Sequence, residues 1–296
     1  MVIIKQASRG LLTIWLALTI AFIGLRLLPG NAISAQLQGS GLPQTTIDAR
    51  VAAIGYNQPI VNQYGHYLMG ILTGDWGQSL YTGQTVSEAM SNRLSSTANL
   101  AFYSISLAII LGIILGFLAG LPNAIRWLAQ LLVNLSLSIP IYVTATILLF
   151  VIAARIGGTQ QNLLLPVITL GFHSSGAIAR VIATNIQQVQ QSDYIRTAYA
   201  KGLPTNAILR RHMLPLVIIP TISIIGLQSG ILLSGAVITE TIFGRAGLGL
   251  LLLDATLQRD YPIVQGIVAL AALIYVIINQ LADTLIMFID PRLNQS

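Results

Sequence analysis

The chain has 296 residues, 15 Lys and Arg against 9 Asp and Glu, and no Cys. Charged residues make up 8% and hydrophobic residues 54%, where an ordinary soluble domain carries about 25% charge. A soluble globular enzyme, a disordered tail and a disulfide scaffold are therefore excluded, and a multi-span membrane protein remains. The net charge of +6 is no sign of nucleic-acid binding, because the basic residues are scattered at the borders of apolar runs.

A helix needs about 20 mostly apolar residues to cross the hydrocarbon core. The first run is Leu11 to Leu25, after Lys5 and Arg9. The same start fits a signal peptide, but the run is long for one and leads into Leu27-Leu28-Pro29-Gly30 with no small-x-small cleavage site, so it reads as a span. Pro29 to Ser96 is polar, with turn punctuation at Gly39-Ser40-Gly41, Asn57-Gln58-Pro59 and Thr73-Gly74-Asp75. Thr45 to Ile54 and Val61 to Leu72 read as short amphipathic helices of an external cap on the membrane surface; a mobile polar loop is the alternative. Leu100 to Gly120 is the second span and Trp127 to Ala154 the third, with Pro140 in its middle. The fourth begins at Leu163 and runs past Arg180 to about Gln187, the fifth is Leu214 to Thr239 and the sixth Ile263 to about Phe288.

The expected organisation is an all-α membrane protein with six transmembrane helices: residues 1–28 hold the first span, 29–96 the external region and 97–296 a five-helix core. With both termini cytoplasmic, nine basic residues lie inside (Lys5, Arg9, Arg126, Arg180, Arg196, Lys201, Arg210, Arg211, Arg292) and six outside. Several of the outer ones lie in or beside long loops, which count less, so this orientation is favoured.

Several chemistries have no residues to run them. There is no G-x-x-x-x-G-K-[ST], and Lys5 and Lys201 do not follow glycines, so the chain has no phosphate cradle for ATP. His66, His173 and His212 are isolated, without a second ligand at metal-binding spacing, and His173 reads as a polar residue facing the bundle interior. No G-x-S-x-G or H-E-x-x-H occurs, so no catalytic residue, cofactor or metal is expected. Arg180 and Asp283 sit where side chains can snorkel to the inner interface, and Glu240 ends the fifth span. The spans thus hold no proton relay. If the chain transports, the energy must come from a partner at the cytoplasmic surface.

Small and hydroxyl residues (Ser104, Ser106, Gly112 and Gly116; then Ser223, Gly226, Ser229, Gly230, Ser234 and Gly235) permit close helix approach. They fit either a path shared with a partner subunit or packing within this one.

The longest cytoplasmic loop is Gln188 to His212. Ser192-Asp193 can cap a helix over Tyr194 to Lys201, Gly202 stands where a left-handed C′ residue belongs, and Pro204 suits the first turn of a second helix, Thr205 to Arg211. Ile208 and Leu209 would insert into a partner groove, and Arg210 and Arg211 would meet acidic groups or lipid phosphate.

The stretch Arg196-Thr197-Ala198-Tyr199-Ala200-Lys201-Gly202, nine residues, then His212-Met213-Leu214-Pro215 resembles the EAA loop of ABC importer permeases, E-A-A-x-x-x-G, nine residues, I-x-L-P. Arg196 replaces the family's Glu and His212 its Ile, while Ala198, Gly202, Leu214 and Pro215 match. This variant is similar to the dipeptide, oligopeptide and nickel branch. Further matches are Leu25 to Gly30, Gly55 to Tyr64, Gly74 to Leu80, Glu240 to Gly249 (with Ala246 where Pro is usual), Arg259 to Gly266 and Asp290-Pro291-Arg292. Gly157 to Leu164 is short for the family.

The resemblance implies a type I ABC importer permease, the first of a heterodimeric pair in a prokaryotic cytoplasmic membrane. Its partners would be a second permease, two ATP-binding cassette subunits docking on 188–215, and an extracytoplasmic substrate-binding protein. The implied ATPase-coupling residues are Arg196, Ala198, Lys201, Gly202, Pro204, Ile208, Leu209, Arg210, Arg211, His212, Leu214 and Pro215. Short peptides are the implied cargo, nickel or a metal chelate the alternative within the class, and a membrane scaffold the alternative outside it.

Overall fold

The computed structural model describes residues 2–27, 45, 55, 58–153 and 163–289. The expected helix over Thr45 to Ile54, the Gly157 to Leu164 connection and the Asp290-Pro291-Arg292 ending fall wholly or mostly outside these residues. Among the described residues the chain is helical, with a single isolated β-bridge between Gln78 and Thr85.

In chain order the helices are α1 (Val2–Leu27), α2 (Ile60–Thr73), α3 (Val86–Gly120), α4 (Arg126–Ser138), α5 (Ile141–Leu148), α6 (Leu164–Gln190), α7 (Asp193–Ala200), α8 (Thr205–Ile208), α9 (Leu214–Ile242), α10 (Leu248–Leu257) and α11 (Tyr261–Ile289). α1, α3, α6, α11 and the continuous stretch Thr205–Leu232 are long and apolar enough to cross a membrane. A sixth span is reached when α4 and α5 count as one broken unit.

That break departs from the straight third span expected from Trp127 to Ala154. α4 and α5 meet at 101°. Pro140 has no N–H to donate, and it holds Ile139 in the extended region (φ −80°, ψ 126°), so the helix stops and restarts. α10 is a further helix that span-counting passes over, since its ten residues are too few to cross.

α6 is the centre of the bundle. α3 runs along it, α9 packs against both, and α11 and then α1 follow. The α3–α6 contact is closed by glycine. A Cβ added at Gly112 would lie 2.7 Å from Ile178 Cβ, one at Gly116 2.7 Å from Ile182 Cβ, and one at Gly120 3.0 Å from Ile186 Cβ. Both series advance by four residues, so three isoleucine knobs seat in three notches on one face. Gly226 meets Ala282 and Gly230 meets Tyr275 in the same way between α9 and α11. These small residues therefore pack helices within the subunit.

The α7–α8 hairpin lies at one end of the bundle. At the other end, three sequence-distant motifs converge. Thr85 caps α3 by accepting from Glu88 N at 3.3 Å. Asp260, 3% exposed, accepts from the Ser79 hydroxyl and, at 3.1 Å, from Leu80 N. Glu240 is fully buried. Its carboxylate accepts from Thr97 Oγ1 at 2.6 Å, Gly249 N at 2.7 Å and Leu250 N at 3.2 Å, so it caps α10 from the side. A Cβ at Gly247 would sit 2.1 Å from that carboxylate, and one at Gly249 2.5 Å from Val237 Cα, so glycine at these two positions is a packing requirement.

Two outcomes are expected. Gly116→Leu should drive a side chain into Ile182 and cut folded, monodisperse protein to roughly half or less by fluorescence-detected size exclusion. Gly24→Leu, where a Cβ meets nothing within 4 Å, should not. Glu240→Ala strands three donors, two of them buried, at about 1–3 kcal/mol for each buried group left unsatisfied. Apparent Tm should fall in the order wild type, Glu240→Gln, Glu240→Ala, read by thermal unfolding in detergent.

Candidate functional site

The hairpin is built from local backbone chemistry. Ser192 occupies the position before α7 with extended geometry, but its hydroxyl donates back to Val189 O at 2.7 Å instead of capping the helix. Asp193 supplies the negative charge in the first turn, and its carboxylate takes a 3.4 Å ion pair from the exposed Arg196. At the other end Gly202 has φ +75°. Gly202 N donates to Tyr199 O at 2.9 Å and Leu203 N to Ala198 O at 3.3 Å, the paired bonds of a Schellman turn. Pro204 then stands one place earlier than expected. Its ψ of 144° makes it the cap of α8, with its carbonyl accepting from Ala207 N and Ile208 N.

α8 does not end as a separate helix. A π turn, Leu209–Met213, follows it, and Leu214 N bonds to Leu209 O as α9 begins. The peptide from Thr205 into the membrane-crossing part of α9 is thus one continuous rod.

Packing then fixes the hairpin to the bundle. Ile195 and Ala198 of α7, Ile208 of α8 and Met213 of the π turn are buried in the same cluster as Ile178, Ile182 and Ile186 of α6, Ala108 of α3 and Val217 of α9. Leu209 packs against that cluster. This corrects the expectation that Ile208 and Leu209 would insert into a partner groove. Ile208 has no exposed surface and belongs to this chain's own core. Ala198 is small because it is clamped there, with its carbonyl engaged in the turn.

What remains outward is a mixed apron. Tyr194, Arg196, Tyr199, Lys201, Gly202, Leu203, Pro204, Arg210, Arg211 and Pro215 are exposed, and His212 and Leu214 are half-buried. A Cβ at Gly202 would meet nothing within 4 Å, so the turn opens on free space. Tyr194 and His212 form a side-chain hydrogen bond across the hairpin, with rings edge to face at 5.3 Å between centroids. Sequence reading missed Tyr194 as a site residue. The available signal was the spacing of an aromatic in the first turn of α7 and the His that replaces Ile before Leu214. Geometrically, the apron offers aromatic faces and five cationic or imidazole groups to a partner. His173 lies away from it, hydrogen-bonded to Thr144 at 3.0 Å.

Comparison with known proteins places this architecture. The family model described as binding-protein-dependent transport system inner membrane component matches residues 108–295. The chain is 30% identical to the dipeptide transport system permease protein DppB of Alkalihalophilus pseudofirmus, over 93% of each sequence. It is 32% identical to the probable peptide ABC transporter permease protein y4tP of Sinorhizobium fredii, over 92% of each. It is 29% identical to the glutathione transport system permease protein GsiC of Escherichia coli, over 98% of each. In fold it is similar to the MetNI methionine ABC transporter in an inward-facing conformation, with TM-score 0.60 and 15% identity over 69% of this chain and 97% of that one. An amino acid ABC transporter structure matches with TM-score 0.54 and 18% identity over 70% of this chain and 94% of that one. The chain, with its core-anchored hairpin and helical bundle, belongs to the family of binding-protein-dependent transport system inner membrane components.

Proposed function

We propose that this chain is the permease subunit that carries short peptides through an ATP-driven importer, and that the α7–α8 hairpin, within residues 188–215, is where it receives force. The observation that carries the reading is mechanical. The hairpin shares a core with α3, α6 and α9 and continues into α9 without a break, so a push on the apron moves spans and not merely a loop. The dipeptide, peptide and glutathione permeases it resembles support the cargo class.

In this reading the hairpin end is cytoplasmic, as are both termini, in agreement with the bias of Lys and Arg. Arg196, Lys201, Arg210 and Arg211 meet an ATPase surface, Gly202 and Pro204 shape the turn that enters it, and Ala198, Ile208, Leu209, His212, Leu214 and Pro215 tie that turn to the spans. One ATP-binding cassette docks here and a second on a partner permease. A binding protein delivers cargo at the opposite face, where residues 29–96 form an external region and 97–296 the permease core. Catalysis belongs to the cassettes, and the permease itself is not an enzyme.

Gly202 gives the test. Its φ of +75° costs a residue with a Cβ about 1–2 kcal/mol, and substituents project into the space a partner would fill. In the assembled complex, Gly202→Ala should reduce peptide uptake modestly. Gly202→Asp should reach normal membrane levels by blot yet lose most uptake and binding-protein-stimulated ATP hydrolysis. Full uptake and full stimulation in Gly202→Asp would reduce Gly202 to a turn residue and remove the docking assignment. The purified chain alone should also bind no labelled ATP.

A further inference from the structure

Arg180 stands within α6, about 15 Å short of its last residue, Gln190, at 1.5 Å per residue. Its side chain is exposed, opening outward beside the span, and a cation at that depth needs a partner or a water-filled cavity. Among the described residues the one ion pair joins Arg196 and Asp193, so Arg180 has no carboxylate partner there. It lines a cleft of about 250 Å³ between the hairpin-side parts of α3, α4 and α6.

The cleft is polar without being acidic. Gln130 and Asn134 of α4 and Thr184 and Gln187 of α6 line it together with Arg180, and no Asp or Glu is among the described lining residues. Gln130 and Gln187 both donate to the Ala119 carbonyl, each at 3.4 Å. That shared acceptor ties three helices together at one side of the cleft. Asn134 and Thr184 add an amide and a hydroxyl to the wall. A guanidinium presents five N–H donors in a planar fork, matched to the two oxygens of a carboxylate or phosphate. Neutral donors beside it add hydrogen bonds without cancelling its charge.

We propose that this cleft is a binding site for an oxyanion, held by Arg180 with Asn134 and Thr184 as neutral donors. Two sources carry that chemistry. One is the free terminal carboxylate of a short peptide, which rests on the cargo reading above. The other is the phosphate of a phospholipid, which rests only on the position of the cleft in a span beside the exposed apolar side chains Trp127, Leu128, Leu131 and Leu135 of α4.

The test is thermal unfolding of the full chain in neutral detergent, with glycylglycine, glycylglycinamide or phosphatidylglycerol added. A saturable rise in Tm with glycylglycine but not its amide identifies the carboxylate as the source. A rise with phosphatidylglycerol identifies the lipid. In either case Arg180→Gln should abolish the rise, and Arg180→Lys, which keeps the charge but loses the fork, should raise the half-saturating concentration about tenfold. Arg180→Gln without ligand should unfold as a single species close to wild type, which separates loss of the site from loss of the fold. No rise with any additive, an equal rise with glycylglycine and its amide in the absence of a lipid response, or an undiminished rise in Arg180→Gln overturns the site. Peptide uptake by the assembled complex is a separate measurement, so a failed site leaves the cargo reading standing or falling on its own.

Discussion

The close approach of α3 and α6 is the constraint from which the rest follows. Three glycines spaced by four residues let three isoleucines sink to backbone depth. In lipid, helices gain little from burying apolar surface, because the tails are as apolar as leucine, so association depends on packing and hydrogen bonds. Removing the Cβ at Gly112, Gly116 and Gly120 supplies that packing. Ile182 and Ile186, seated in two of these notches, also belong to the cluster that receives Ile195 and Ile208. The depth of the notch thus sets where the hairpin can sit.

Both ends of the bundle have an apolar core, and the end away from the hairpin adds two buried carboxylates. At the hairpin end the anchors are apolar and continuous with the span core. At the opposite end an apolar cluster joins Val86 and Met90 of α3, Leu248 and Ala255 of α10 and Ile263, Val264 and Ile267 of α11, and buried carboxylates add to it: Glu240 fixes α10 to α9 and α3, while Asp260 fixes the loop at Ser79 and Leu80. A buried carboxylate with three donors is directional, so it holds one geometry well and tolerates little drift. The apolar cores are close-packed and resist compression.

The sequence was most legible where local chemistry decides. Charge-free runs located the spans, and Gly202 with Pro204 located the hairpin turn to within a residue. It was less legible where distance or phase decides. Pro140 announced an interruption, yet a proline can kink a helix or end it, and the 101° turn depends on what packs around it. Ile208 read as outward because α8 has four residues, too few for a periodic face, and a π turn follows that shifts the phase. The pairing of Ser79 with Asp260 spans 181 residues and has no local signal at all. The small residues of α3 and α9 carried two meanings, and the neighbours Ile178, Ile182, Ala282 and Tyr275 show packing within the chain for Gly112, Gly116, Gly226 and Gly230.

The π turn at Leu209–Met213 has a consequence for how such chains vary. In an α-helix each residue added or lost swings everything beyond it by about 100°. A π turn is an α-helix that has already absorbed one extra residue without changing the direction of either flank. Loss of a single residue within it would regularise the helix and leave α8 and α9 aimed as they are, whereas the same loss within Leu214–Ile242 would rotate every α9 contact on one side of it. The joint is therefore the one point along this rod where chain length can drift between relatives while the faces on both sides keep their partners.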